Sequence, residues 1–348
     1  MAETRKIVGC YNVEGISTES HVKEILDLFS NSYSITTQAL NEGDSRASYG
    51  VTRFPCFIMI KNGAVLSKKQ GKYMRNDYQH KRRIKKHKVE YLKTIAEAME
   101  DPWQTEDGRE VRGVQLELAN KCAELTGVPY WTFTDCCTDA LQIAIQALTS
   151  PGDQVLVPSY GWRAFANAAS FMQRQVRFAD CDESGNINLD SVVEGLQNNK
   201  WGKISAIIVV QNFGTISDVT KIKPICDELK IKIIEDAAPS FPMGEPYKYT
   251  PGDASDVACY SFDFTKCPGT LGSGGGMCTS NEELFYLFQE IASHGRSRST
   301  KEVVRVGTKS YLDVTSCAVL LKDIELFEQH DYRERRRQIA SFYLDNLP

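Results

Sequence analysis

From Trp103 onward the chain repeats one pattern: short, almost wholly apolar runs separated by stretches with helical spacing. The runs are Gln154–Val157, Val176–Ala179, Ile204–Val210, Ile231–Ile234 and Val257–Phe262. They have the length of strands and the near-continuous apolar character of strands buried on both faces. The segments Ala119–Leu125, Thr138–Leu148 and Ile222–Leu229 read as helices, and Leu141, Ala144, Ile145 and Leu148 form the inward stripe of the second. Strands alternating with helices predict an α/β fold with a largely parallel sheet covered on both sides.

In such a sheet ligands bind beyond the carboxyl ends of the strands. Chemically useful residues fall at those ends. Glu235 and Asp236 close IKIIED, and Lys266 follows VACYSFDF. Trp162 ends QVLVPSYGW and Arg163 follows it, and Cys137-Thr138 opens a helix whose free N–H groups and dipole suit a phosphate. Singly, each residue has an ordinary explanation: a surface lysine, a helix-capping aspartate, a core tryptophan.

Composition limits the classes. Hydrophobic residues make up 42% and charged residues 25% of 348 positions, as in a soluble globular protein large enough for two domains. The net charge of -4 supplies no overall positive field for nucleic acid. Eleven cysteines include no C-x-x-C pair, so no zinc ribbon or dithiol motif is encoded and no metal site is expected. Their odd number fits a reducing compartment. The start, MAETRKIVGC, has no signal-peptide core, and no apolar run is long enough to span a bilayer, so the expected address is the cytoplasm.

Five segments, in order, carry a family resemblance: TDCCTDALQIAIQAL, PGDQVLVPSYGWRAFANAA, IKIIEDAAPS, DVACYSFDFTK and GSGGGMCTSNEEL. From about Trp103 to Leu347 the chain resembles the DegT/DnrJ/StrS nucleotide-sugar aminotransferases. These are pyridoxal 5'-phosphate (PLP) enzymes of the aspartate-aminotransferase fold. The resemblance implies that Lys266 forms the internal aldimine and shuttles the proton. It implies that Asp236 pairs with the pyridinium nitrogen and that Trp162 stacks on the ring. Thr138 and Ser261 would give hydroxyls to the phosphate, and Cys137 its backbone amide. Lys309 would stand where an asparagine reaches the neighbouring subunit's phosphate, which implies a homodimer. Arg163 is the candidate cation for the donor's carboxylates.

The sequence departs from the family at several places. Cys137 replaces a glycine, Pro239 a glutamine, Cys267 an asparagine and Tyr311 an arginine, besides Lys309. Pro348 falls inside or just after the long helix that leads, in the family, into a small C-terminal domain. The leading expectation is an aminotransferase moving an amino group from glutamate to a keto-deoxy-sugar on a nucleoside diphosphate. The alternatives are a non-catalytic PLP-fold protein acting in binding or assembly, and a redox adaptor built on the front domain.

Residues 1–78 read as a separate small unit. Ile7–Tyr11 is strand-like, His21–Phe29 has helical spacing, and RFPCFIMIKNGAVL reads as two strands joined at Asn62-Gly63. This stretch resembles the end of a thioredoxin fold, with Pro55 as its cis proline, but Cys10 stands without a second thiol at redox spacing. A basic helical linker over 79–101, containing HKRRIKKHK, joins it to the domain over 102–348.

Overall fold

The computed structural model describes residues 5–11, 36–39, 56–61, 64–70, 83–100, 113–242 and 249–346. Contacts divide the chain into two units, residues 1–79 with 339–348 and residues 80–338.

In the first unit β1 (Arg5–Tyr11), β2 (Thr36–Ala39), β3 (Cys56–Lys61) and β4 (Ala64–Gln70) form one sheet in the order β2-β1-β3-β4. β1 runs parallel to β2 and antiparallel to β3, and β4 returns antiparallel to β3. The register places Cys10 opposite Cys56, a pairing that no local sequence motif announces. The expected helix at His21–Phe29, the proline Pro55 and the turn at Asn62-Gly63 lie outside the described residues.

The second unit is built on a seven-stranded sheet. Its strands are β5 (Tyr130–Thr134), β6 (Gln154–Pro158), β7 (Gln175–Ala179), β8 (Ile204–Val210), β9 (Lys232–Asp236), β10 (Val257–Ser261) and β11 (Gly275–Thr279), in the order β5-β11-β10-β9-β8-β6-β7. β11 alone in this sheet runs against its neighbours, and the rest are parallel. Nine α-helices are described: α1 (Lys88–Glu100), α2 (Gly113–Thr126), α3 (Cys137–Leu148), α4 (Ala164–Phe171), α5 (Leu189–Gln197), α6 (Lys223–Leu229), α7 (Glu282–Ala292), α8 (Val314–Gln329) and α9 (Tyr332–Asn346).

Strand periodicity sorts the core into layers. Ala206, Ile208 and Val210 of β8 point into a core with α3, α4 and α7, whereas Ile207 and Val209 point into one with α5 and α6. A third cluster packs α2 and α8 around Trp131, Phe133 and Phe262. Both faces of the sheet are thus covered, as the apolar runs predict. The runs did not reveal β5 and β11. β5 mixes threonine with aromatics, and β11 begins with two glycines where close approach outweighs strand preference.

The stretch expected as a solvated linker is solvated only on its outer face. Arg83, His87 and Tyr91 are buried, with Tyr91 packed against Val319 and Leu326 of α8. Among the described residues no helix is long and apolar enough to cross a membrane, and no group of three or more His, Cys, Asp or Glu is placed to hold a metal.

Candidate active site

Strand parity decides which carboxylate of the Glu235-Asp236 pair can do chemistry. Ile234 faces the α3 side of the sheet and Ile233 the other, so Asp236 falls on the α3 side and Glu235 opposite. Glu235 is fully buried and serves the loops. It accepts hydrogen bonds from Tyr249 (2.6 Å), the Gly252 amide (2.9 Å) and Gln211 Nε2 (2.7 Å).

Asp236 is 4% exposed, at the carboxyl end of β9. Its Oδ1 accepts from the Ala238 amide at 3.1 Å and lies 3.9 Å from the Cys137 thiol. Burial pushes its carboxyl up to about 6, while the Ala238 amide and the Lys266 ammonium pull the other way. It is a deeply placed carboxylate with no ion pair within contact distance among the described residues. The neighbouring strand β10 carries Ser261 on the same side of the sheet as Cys259 and Asp236.

Lys266 stands on the loop after β10. Its amide donates to Asp263 O at 2.8 Å, and its charge is felt by Asp236 and by Cys137. Three groups placed by separate strands therefore come within electrostatic reach of one another: the amine, the buried carboxylate and the first turn of α3.

That turn is built with care. Cys136 is the N-cap, its sulfur accepting from the Asp139 amide at 3.4 Å. Cys137 and Thr138 follow, and the first amides of a helix have no partner within it. The departure from glycine at Cys137 does not fill the space in front of the helix. Its side chain turns into the α3 core and toward Asp236. Gly275 of β11 backs the turn, for a Cβ there would lie 2.2 Å from Cys136 C and 2.5 Å from Cys137 N. Ser310 stitches the turn from the side, accepting from the Asp135 amide at 3.0 Å and donating to Asp139 at 2.7 Å.

The remaining candidates sit outward. Trp162 is 70% exposed, with the Arg163 guanidinium 5.1 Å from its ring centroid. Lys309 is exposed, 5.4 Å over the Tyr311 ring, and its charge reaches Asp135 just before the α3 cap. Pro239 is exposed on the turn after β9 and offers no side-chain donor there. Sequence reading missed Cys136, Gly275 and Ser310. A sulfur cap and a glycine facing a helix start carry no local signature, and Ser310 acts across 171 residues.

The fit to PLP rests on this donor set: a lysine amine within electrostatic reach of a buried carboxylate, and a helix N-terminus suited to phosphate. Such a set, on a largely parallel sheet with one reversed strand, is what a PLP-dependent enzyme of the aminotransferase type would need. The sequence profile of the DegT/DnrJ/EryC1/StrS aminotransferase family matches residues 85–348. The chain belongs to that family, whose members depend on PLP.

Among its relatives is the UDP-2-acetamido-2-deoxy-3-oxo-D-glucuronate aminotransferase of Pseudomonas aeruginosa, 35% identical over 239 residues, or 68% of this chain and 64% of that protein. Another is the 3-oxo-glucose-6-phosphate:glutamate aminotransferase of Bacillus subtilis, 28% identical over 63% of this chain and 48% of that protein. The crystal structure of a DegT DnrJ EryC1 StrS aminotransferase from Brucella abortus superposes with a TM-score of 0.66 at 28% identity, covering 76% of this chain and 71% of that one. The chain spans less than two thirds of the length of the first of these relatives.

Proposed function

We propose that the chain transfers an amino group from glutamate to the keto group of a deoxy-sugar carried on a nucleoside diphosphate, with PLP held on Lys266. What supports this reading is that Asp236 lies 3.9 Å from the Cys137 thiol at the start of α3 and that the Lys266 charge acts on both groups. When bound, PLP supplies an electron sink for the charge that develops at the donor's α-carbon.

The protein's own groups do the rest. Lys266 Nζ would take the proton from the donor's α-carbon and return it to the cofactor carbon on the far side of the transferred nitrogen. Asp236, ionised above about 6, holds a proton on the facing ring nitrogen, because a buried carboxylate is relieved by an opposite charge. The amide of Cys137 and the hydroxyls of Thr138 and Ser261 bind phosphate. Trp162 covers the ring, excluding water, and Arg163 orients the glutamate carboxylates.

The nucleotide-linked sugar follows one relative's name, which pairs UDP with a 3-oxo sugar, and the donor follows another's, which pairs glutamate with 3-oxo-glucose-6-phosphate. Lys309, exposed beside Tyr311, serves the partner's phosphate in a homodimer. A cytoplasmic location is supported by nine unpaired cysteines among the described residues. We read residues 1–78 as a thioredoxin-like domain, 79–101 as its connector and 102–348 as the transferase domain. The order β2-β1-β3-β4 with its mixed directions supports the first of these.

Reconstitution with PLP, borohydride reduction and peptide mass spectrometry tests the site, and the label is expected on Lys266. In a separate, unreduced sample, glutamate alone should discharge the cofactor's visible absorbance, and Lys266→Ala should abolish this. A chain that takes the label on Lys266 but whose unreduced cofactor glutamate leaves unchanged for hours would favour the non-catalytic alternative, to which Pro239 already points.

A further inference from the structure

A second buried polar cluster lies outside the groups assigned above, and it grips the loop that carries Lys266. Asp323 of α8 is wholly buried, and Arg83 and Tyr91 are nearly so. Asp323 Oδ1 accepts the Tyr91 hydroxyl and lies 3.0 Å from Arg83 Nε, an ion pair without hydrogen-bond alignment. Its second oxygen accepts the amide of Gly269 at 2.9 Å. The same guanidinium places Nη1 2.9 Å from Cys267 Sγ. One ion pair thus touches the lysine loop on both sides of Pro268, at the residue after Lys266 and again at Gly269.

The loop is already folded tightly on itself. Phe264 N donates to Gly272 O at 2.7 Å and Thr270 N to Phe262 O at 2.8 Å. A Cβ at Gly269 would lie 2.6 Å from Asp263 O and 3.0 Å from Lys266 O, so only glycine fits there. A unit this compact moves as one body, and its placement depends on what anchors it from outside.

Packing alone does not account for the ion pair. Tyr91, Val319 and Leu326, with Ile84 and Ile95, already close the seam between α1 and α8. Burying two charges carries a desolvation cost that an apolar pair of similar volume avoids. What the charges add is direction: a fixed acceptor for Gly269 and a fixed fork at Cys267.

We propose that Arg83 and Asp323 are positioning residues that set where Lys266 presents its amine, acting through Cys267 and Gly269. This rests on the reading of Lys266 as the cofactor lysine. Neither residue reaches cofactor or substrate. The segment just ahead of α1, which sequence alone reads as a connector, becomes part of the apparatus that aims the lysine.

The test uses the full chain with Arg83→Gln, Arg83→Lys, Asp323→Asn and Cys267→Ala. Val319→Ala is the control, since it loosens the same seam without touching the loop. Hydrogen exchange of the 262–274 peptide is measured without cofactor, and PLP dissociation is measured by titration. Asp323→Asn and Arg83→Gln should raise loop exchange and weaken PLP binding by about tenfold or more, since a misplacement of about 1 Å already has large effects. Arg83→Lys should restore part of both. Cys267→Ala, which keeps the ion pair, should shift both in the same direction by less, and it carries the test if the charge variants fail to fold.

Equal loop exchange and equal PLP loss in Val319→Ala would overturn the proposal, because seam stability alone would then explain both. Faster loop exchange with unchanged PLP affinity would overturn it as well. The two readings fail separately. A wild-type chain that takes no borohydride label on Lys266 refutes the site assignment, whereas a labelled wild type with unaffected variants refutes only the role of the pair.

Discussion

Replacing Asp236 with asparagine should stabilise the cofactor-free protein at neutral pH while weakening its hold on PLP. Burial moves this carboxyl from 3.8 to about 6. Between those values the folded state keeps a proton that the unfolded state has lost, so stability falls as pH rises through the window. At about 1.4 kcal/mol per pKa unit, the penalty above pH 6 reaches ~3 kcal/mol.

Asp236→Asn removes that charge. Its Oδ1 can still accept from the Ala238 amide and face the Cys137 thiol. Against the gain stands a newly buried NH2 group, which costs ~1 kcal/mol or more when unpartnered. The expected net gain is therefore ~1–2 kcal/mol at pH 8 and none near pH 4, where the wild-type carboxyl is protonated when folded. Urea unfolding of the PLP-free protein at both pH values, followed by circular dichroism, measures the difference. A variant no more stable than wild type at pH 8, or equally stabilised at both values, would refute the reasoning.

Three other outcomes follow from the geometry. Glu235 is displaced from 4.5 to about 7 with the same sign, so it too destabilises the fold as pH rises through that window. Glu235→Gln should gain less than Asp236→Asn at pH 8, because its amide would confront the Gln211 Nε2 donor; a larger gain in urea melts counts against that contact. Gly275→Ala, with backbone atoms 2.2 to 2.5 Å from the new Cβ, should cost ~3 kcal/mol or more and displace the start of α3, read as a lower Tm and lost PLP retention. Trp162→Ala should leave the PLP-free Tm nearly unchanged, because this ring is 70% exposed, yet weaken PLP binding by about tenfold, on the order of one aromatic stacking contact; a matching loss of stability would show that the ring is structural.

The sequence by itself determined the α/β class, the strands from β6 to β10 and the candidate groups at their carboxyl ends. Those features rest on local periodicity and on chain ends of strands, which neighbours in sequence encode. It also supplied Lys266, Asp236, Trp162 and the helix start at Cys137, because each follows directly from a recognisable strand or begins a recognisable helix. Only the tertiary structure decided how these groups meet. The reversal of β11 brings Gly275 against the cap of α3, and the parity of β9 sends Asp236 to the α3 side and Glu235 to the loops. The inward turn of Cys137, the stitch made by Ser310 and the grip of Arg83 and Asp323 on the lysine loop join residues 54 to 240 positions apart. Contacts of that separation leave no periodic trace in the chain. They arise when the sheet forms and buried polar groups must find partners.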